Sequence, residues 1–371
     1  MAIKRLQHTR QQLNMQDFNT HNAKTEESSF FSRSSRGNFF QSLDFYKVLQ
    51  QIGWKTAHLT VQKLGSQATV LAFAPQNIPV YDSLFPRYEV LYGPCMHAVN
   101  GQIDLVVLDS LLKNLCYTLK QSGAIRLKVR TPFPFPYGYK IFSKNGFTRE
   151  IVKGEYSVFI DLRKDLATLW KEMKRFARRS VEKAIERGVE VKGVETEMDL
   201  HQFYRMYVET ALRRGFKAYP YRFFDALWTQ LEPKGLVKFF IASWKKKPIG
   251  GILNTSYAKE SVPYISCSLR KFWDHHPNHI LFWHSIKWSK EVAGSSLFKL
   301  YHVSPKRERI QGVDYYSFKT CFGGDLLEER TFYRKIISPA KFKIFKMFSI
   351  KSLPKSRITA PVHALVRQVT S

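Results

Sequence analysis

The sequence predicts a mixed α/β chain built from two similar α/β units packed side by side. Three observations support this. A block of helix, three strands, long helix and further strand spans residues 42–130, and a comparable order recurs over 199–303. The strands in both blocks alternate apolar and polar residues with the period of a half-buried sheet. The 371 residues, 44% hydrophobic and 15% aromatic, are enough for one large core or two ordinary ones.

The first block opens with a helix over 42–53 (SLDFYKVLQQIG). Strands follow at 54–62 (WKTAHLTVQ), 68–75 (ATVLAFAP) and 87–94 (RYEVLYGP), then a helix at 103–121 and a strand at 124–130 (AIRLKVR). The second block has helices at 199–215 and 223–231, then strands at 236–244, 248–257 and 263–269. A helix at 278–292 and a strand at 297–303 (LFKLYHV) close it. Short polar or Gly/Pro segments such as Lys245-Lys246-Lys247-Pro248 mark the hairpins.

A basic helix over 163–190 joins the blocks. Leu166, Leu169, Met173, Phe176, Val181 and Ala184 approximate an apolar stripe, and Gly188 is a natural stop. Residues 171–187 carry seven basic side chains against three acidic ones. Arg175, Arg178 and Arg179 are candidates for contact with RNA; the same composition also suits a solvated face with i,i+4 pairs. The expected division is a flexible polar tail over 1–37, a first unit over 38–155, a second over 156–337 and a basic tail over 338–371. That last stretch has seven basic residues and no acidic one, which suits either an anionic bilayer surface or a terminal helix capping the domain.

The net charge of +29 favours polyanionic partners such as RNA, nucleotide phosphates or an anionic membrane. Four scattered cysteines without a CxxC disfavour a zinc site or disulfide framework. The start lacks an apolar signal core, and no apolar run reaches about 18 residues. The expectation is a cytoplasmic protein, with peripheral contact at the inner face of the membrane through the C-terminal tail.

The stretch 297–332 carries the chemistry. Phe318-Lys319 stands just before Phe322-Gly323-Gly324, so a cation on a short apolar segment could steady a developing oxyanion, with the glycines letting a substrate approach the backbone. Tyr264 and Ser266 on the strand PYISCS are candidates to line a second-unit pocket, or half-buried strand positions. His275 and His279 are four apart, as metal ligands on a helix would be, but Pro277 between them belongs at a helix start, and no metal is expected.

Read in order, these segments resemble the FemABX family of non-ribosomal peptidyltransferases, which overlaps the CelD-like acetyltransferase group. The resemblance covers roughly residues 38–337. It rests on NFFQSLDFYKVLQQIGWK, YEVLYGP, YSVFIDL with the basic helix and ERGVEV, ETALRRGF, PYISCS, HHPNHILFWHSIKWSKEVA and FKTCFGG. It implies two tandem GNAT-like (acyl-CoA N-acyltransferase) domains, without the long coiled-coil arm of some members. It also implies transfer of an amino acid from aminoacyl-tRNA to an amine of a nucleotide- or lipid-linked muropeptide-like acceptor. By the resemblance Lys319, after Phe318, steadies the ester carbonyl as it becomes tetrahedral, while Lys47 and Arg213 meet acceptor phosphate. No serine or cysteine nucleophile, cofactor or metal is needed.

The chain departs from acetyl-CoA-using relatives at one place. Those enzymes have a Gly-rich turn for pyrophosphate, whereas 269–283 here contains no glycine. Two alternatives stay open: an acyl-CoA-dependent N-acyltransferase acting on a sugar or polysaccharide amine, and a non-catalytic RNA- or membrane-binding protein on the same scaffold.

Overall fold

A computed structural model describes residues 38–63, 65–97, 104–131, 138–150, 156–303, 309–310, 313–328 and 332–348. The N-terminal tail and the C-terminal tail after 348 lie outside the described residues.

The first half begins with a 3-10 turn, Phe39–Gln41, and α1 (Leu43–Gln51), followed by β1 (Lys55–Lys63), β2 (Ser66–Ala74), α2 (Pro79–Leu84), β3 (Arg87–Leu91) and β4 (Cys95–His97). Then come α3 (Leu105–Gln121), β5 (Arg126–Arg130), α4 (Gly138–Lys144) and β6 (Thr148–Glu150). The second half contains β7 (Tyr156–Asp161), α5 (Leu166–Glu172), α6 (Arg175–Glu186), β8 (Val189–Gly193), α7 (Glu197–Arg214) and α8 (Tyr221–Leu231). It continues with β9 (Val237–Trp244), β10 (Lys247–Tyr257), β11 (Glu260–Ser268), a 3-10 turn, α9 (Pro277–Glu291) and β12 (Leu297–Val303). The ribbon β13 (Arg309–Ile310) and β14 (Val313–Asp314), α10 (Tyr315–Thr320), β15 (Asp325–Glu328), β16 (Phe332–Ile336) and α11 (Pro339–Phe348) complete the chain.

Two sheets form. One runs β1-β2-β3-β5-β16-β6, with β4 also on β2; the other runs β15-β7-β12-β11-β10-β9-β8. Six strands correspond in order, β1-β2-β3-β5-β16-β6 with β9-β10-β11-β12-β7-β15, as a duplicated unit requires; β4 and β8 have no counterpart in the other sheet. The expected boundary at 337 is corrected in one respect. β16 joins the first sheet, antiparallel to β5 and β6, where β7 joins β12 in the second. The last strand therefore returns to complete the first half, and the two halves are interlocked. α11, inside the stretch expected to be a tail, also packs on the first half through Phe345 against Tyr81 and Phe85. Short elements such as β16 give no local signal, because their pairing is with strands about two hundred residues away.

Local chemistry fixes the main helices. Ser42 accepts from Phe45 N at 3.2 Å to cap α1, Asp104 caps α3, and Thr196 with Asp199 forms a capping box on α7, which Gly215 ends in a left-handed conformation. A core shared by both halves holds them together. In it Trp54 stacks on Phe223 at 5.3 Å, and Phe40 meets Tyr264 at 4.9 Å. Among the described residues no helix is long and apolar enough to cross a membrane.

Candidate active site

Strands β11 and β12 run parallel but pair only at Glu260↔Leu297 and Ser261↔Phe298. Beyond these positions they part, although β11 continues to Ser268 and β12 to Val303. Val262, Tyr264, Ser266, Leu300 and Tyr301 on the diverging lengths line a cleft of about 990 Å³. The opposite wall comes from β3 and β5 of the first sheet, so the cleft lies between the halves.

Lys319 lines this cleft and donates from Nζ to the Tyr301 carbonyl at 2.5 Å. The ammonium is thereby tied to the strand whose divergence opens the site. Phe318 also lines the cleft and is wedged among Phe282 and His279 at 5.1 Å and Phe322 at 5.4 Å. These aromatic contacts fix the short α10, which is too brief to be stable alone. The phenol of Tyr264, raised far above its ordinary range by burial and then by Tyr219, stays protonated.

The glycines have a different role from the one expected. Gly323 and Gly324 adopt φ of +85° and +83°, and a Cβ on Gly324 would lie 2.4 Å from the Phe159 carbonyl oxygen. A Cβ on Gly323 would lie 3.2 Å from the Glu172 carbonyl oxygen. They permit a left-handed turn and close packing on β7 and α5; neither lines the cleft.

Two expected phosphate ligands are also corrected. Lys47 is exposed on α1 and does not line the cleft. Phe45, Val48 and Leu49 turn inward, which carries position 47 to the outer face. Arg213 donates to the Ser268 carbonyl at 2.9 Å and lies 5.1 Å over the Trp273 ring, joining α7 to β11. Its neighbour Arg214 is the cleft residue, 4.8 Å over the ring of Tyr315.

On α6, Arg175 and Arg179 are exposed, whereas Arg178 donates to the carbonyls of Lys171 and Met173 and so ties the end of α5. The corner between these helices touches the site. Lys174 N donates to the Cys321 carbonyl at 2.8 Å, and the Phe176 ring approaches His279 at 6.4 Å.

Residues 171–302 match the model of the acetyltransferase (GNAT) domain family. No curated protein matches the chain. Among solved structures, FemX is similar with a TM-score of 0.66 at 15% identity, covering 88% of this chain and 98% of that one. A tandem GNAT protein from the clavulanic acid biosynthesis pathway gives 0.57 at 10% identity, covering 86% and 97%. The C-terminal domain of a putative lysylphosphatidylglycerol synthetase from Agrobacterium fabrum gives 0.52 at 13% identity, covering 88% and 95%. The fold is a tandem GNAT fold.

Several cleft residues are not assigned to the site from sequence. His276 and His279 stand at the start of α9, His276 left-handed at φ 53° and Pro277 first in the helix. Burial lowers His279 to about 4, with His276 adding to the shift. His275 and His279, four apart but separated by Pro277 and so not read as a metal pair, point to different surroundings: His275 packs on Trp244 at 4.4 Å, while His279 lines the cleft. Arg87, Arg126 and Arg130 on the first-sheet wall read in sequence only as alternating strand positions.

Proposed function

We propose that the chain is an aminoacyltransferase, moving an amino acid from aminoacyl-tRNA to the amine of a phosphate-bearing acceptor of the peptidoglycan-precursor type. The observation that carries this is the position of Lys319, in a cleft between two halves and anchored where β11 and β12 separate. FemX resembles this chain over nearly its whole length, which supports the same reading.

In the proposed reaction the acceptor nitrogen attacks the ester carbonyl, and a C–N bond forms. The ester C–O bond then breaks, and the ribose oxygen leaves with the proton that the amine gives up. The ester is already activated, so positioning and stabilisation of the oxyanion are enough. Lys319 supplies a cation beside that oxygen, and Phe318 fixes the approach to it. A histidine with a pKa of about 4 is protonated in roughly one molecule in a thousand at neutral pH, so His279 stands in the cleft as a neutral imidazole that cannot serve as general acid and is only a weak proton acceptor. The exposed Arg175 and Arg179, on the corner that touches the site, would receive the RNA backbone.

Donor geometry favours tRNA over coenzyme A. Pro277 has no N–H, and the N–H of His279 is taken by the His276 carbonyl at 3.1 Å. The first turn of α9 therefore lacks two of the donors that a pyrophosphate cradle would use. The GNAT match over 171–302 favours an acyl-CoA donor as the second reading.

The test is incubation with charged tRNA and a muropeptide precursor, with acyl-CoA and the same acceptor in parallel. Transfer should require the tRNA, and Lys319→Ala should lower turnover on the order of 10²-fold with near-normal binding. Turnover with acyl-CoA alone, or an unimpaired Lys319→Ala, would refute the reading.

A further inference from the structure

The two halves differ where they are otherwise equivalent. β11 and β12 separate after two pairs, but β3 and β5 stay paired through Arg87↔Arg126, Tyr88↔Leu127, Glu89↔Lys128, Val90↔Val129 and Leu91↔Arg130. Tyr88, Val90, Leu127 and Val129 are buried in the first-half core; Arg87, Glu89, Leu91, Arg126 and Arg130 line the cleft.

This register sets Arg87 and Arg126 abreast on one face. Like charges opposite one another on neighbouring strands destabilise a sheet. Burial lowers Arg126 first, and Arg87 and Arg334 push the same way against Glu89 and Glu150. The Nε of Arg126 is buried and has no hydrogen-bond partner among the described residues. Arg87 is engaged with Asp82 at 2.6 Å, and Arg130 sits over the rings of Tyr92 and Phe332 at 5.5 and 5.1 Å. Lys217 reaches the wall from the loop after α7, within electrostatic range of Asp82 and Arg87. On this wall four cations face two carboxylates, Asp82 and Glu89.

We infer that this first-sheet wall is a binding subsite for a diphosphate group, held mainly by Arg126 with Arg87 and Lys217. Adjacent guanidinium forks grip neighbouring phosphate oxygens, and an anion relieves the repulsion that the register creates. It is a different place from Lys47 and Arg213. The assignment to the acceptor rests on the proposed transferase reading; the subsite itself rests on the wall. A contact path runs from it to the chemistry. Arg130 meets Tyr92, Tyr92 stacks on Tyr301 at 4.2 Å, and the Tyr301 carbonyl holds Lys319. The diphosphate could be nucleotide-linked or lipid-linked. The wall adjoins α11, where Arg87 lies 5.1 Å over Phe345 and Ile344 and Met347 are exposed.

The experiment is calorimetric titration of the full chain with inorganic pyrophosphate at fixed low salt, with thermal melting alongside. Wild type should bind, and Arg126→Gln should bind at least about tenfold more weakly. Without ligand, Arg126→Gln should melt no lower than wild type, because the repulsion is gone. Lys217→Gln, on an exposed loop, gives a second variant and should weaken binding several-fold. Lys319→Ala should bind pyrophosphate like wild type. The readout needs no turnover, so it can succeed where the transferase reading fails, and the reverse. Tighter binding of uridine diphosphate than of pyrophosphate assigns a nucleotide-linked source; tighter binding of geranyl diphosphate assigns a lipid-linked one. Absence of pyrophosphate binding by wild type, or equal binding by Arg126→Gln, overturns the subsite.

Discussion

Tyr92 and Tyr301 stack across the two halves with ring centroids 4.2 Å apart and planes 17° from parallel. Tyr92 is buried at φ 53°, a left-handed conformation costly for a bulky residue. The surroundings enforce it. Asn38 Nδ2 donates to the Tyr92 carbonyl at 2.5 Å, and the Gln41 amide donates to the Leu71 and Leu91 carbonyls at 3.1 and 3.0 Å. A Cβ on Gly93 would lie 2.6 Å from Gln41, so the glycine admits that amide.

The stack should be measurable as coupling. Tyr92→Ala and Tyr301→Ala, singly and together, should show an interaction of about 0.5–1.5 kcal/mol in urea unfolding. Tyr301→Ala keeps the backbone carbonyl that anchors Lys319, so the substitution tests the ring stack and not that hydrogen bond. Strict additivity of the two substitutions would mean that the rings merely lie close.

Much of this was legible in the sequence, for identifiable reasons. The duplicated order, the long helices and strands such as Leu297–Val303 follow from periodicity, caps and breakers that act locally. Asn38, Gln41 and Gly93 appear within the quoted motifs NFFQS and YEVLYGP, but only the fold shows that the motifs meet. Lys319 was visible because it stands in a compact motif. Arg126 was not, since an arginine alternating with Leu127 and Val129 looks like any solvent-facing strand position. Lys47 was misplaced because a helix position without its facing partner does not reveal which cleft, if any, it borders.

Gly324→Ala should destabilise the protein by about 2–4 kcal/mol. The new methyl would meet a backbone oxygen at 2.4 Å in a strand that cannot retreat without breaking β7–β15 pairing. Gly323→Ala, with its nearest atom at 3.2 Å, should cost less, about 1–2 kcal/mol. Urea unfolding ranks the two. A catalytic defect in Gly324→Ala at full stability would restore the glycines to the substrate site.

Stability should fall as the medium is acidified from about pH 6.5 towards 4. Burial holds His279 and His284 at about 4 in the folded chain, below the ordinary histidine value. Between those values the unfolded chain binds more protons, so stability rises with pH across the window and is lost as pH falls through it. By pH 5 the loss should be about 1–2 kcal/mol per histidine. Replacing His284 by Gln should remove about half of the slope in urea midpoints taken between pH 7 and 5. An unchanged slope would show that His284 already titrates normally in the folded chain.

Lys47 and Arg214 separate geometry from motif. The FemABX-like pattern assigns acceptor phosphate to Lys47, yet its side chain is exposed away from the cleft, while Arg214 lines the cleft beside Tyr315. Lys47→Ala should therefore leave acceptor KM and turnover within about twofold of wild type, as surface substitutions usually do. Arg214→Gln should raise acceptor KM on the order of tenfold or more, because a charge-assisted contact to an anionic substrate is lost from a partly enclosed site. Steady-state kinetics at constant ionic strength decide the matter, since added salt alone weakens both contacts. If Lys47→Ala gives the larger rise in KM, the acceptor reaches round to the outer face of α1, and the cleft between the sheets holds only the donor.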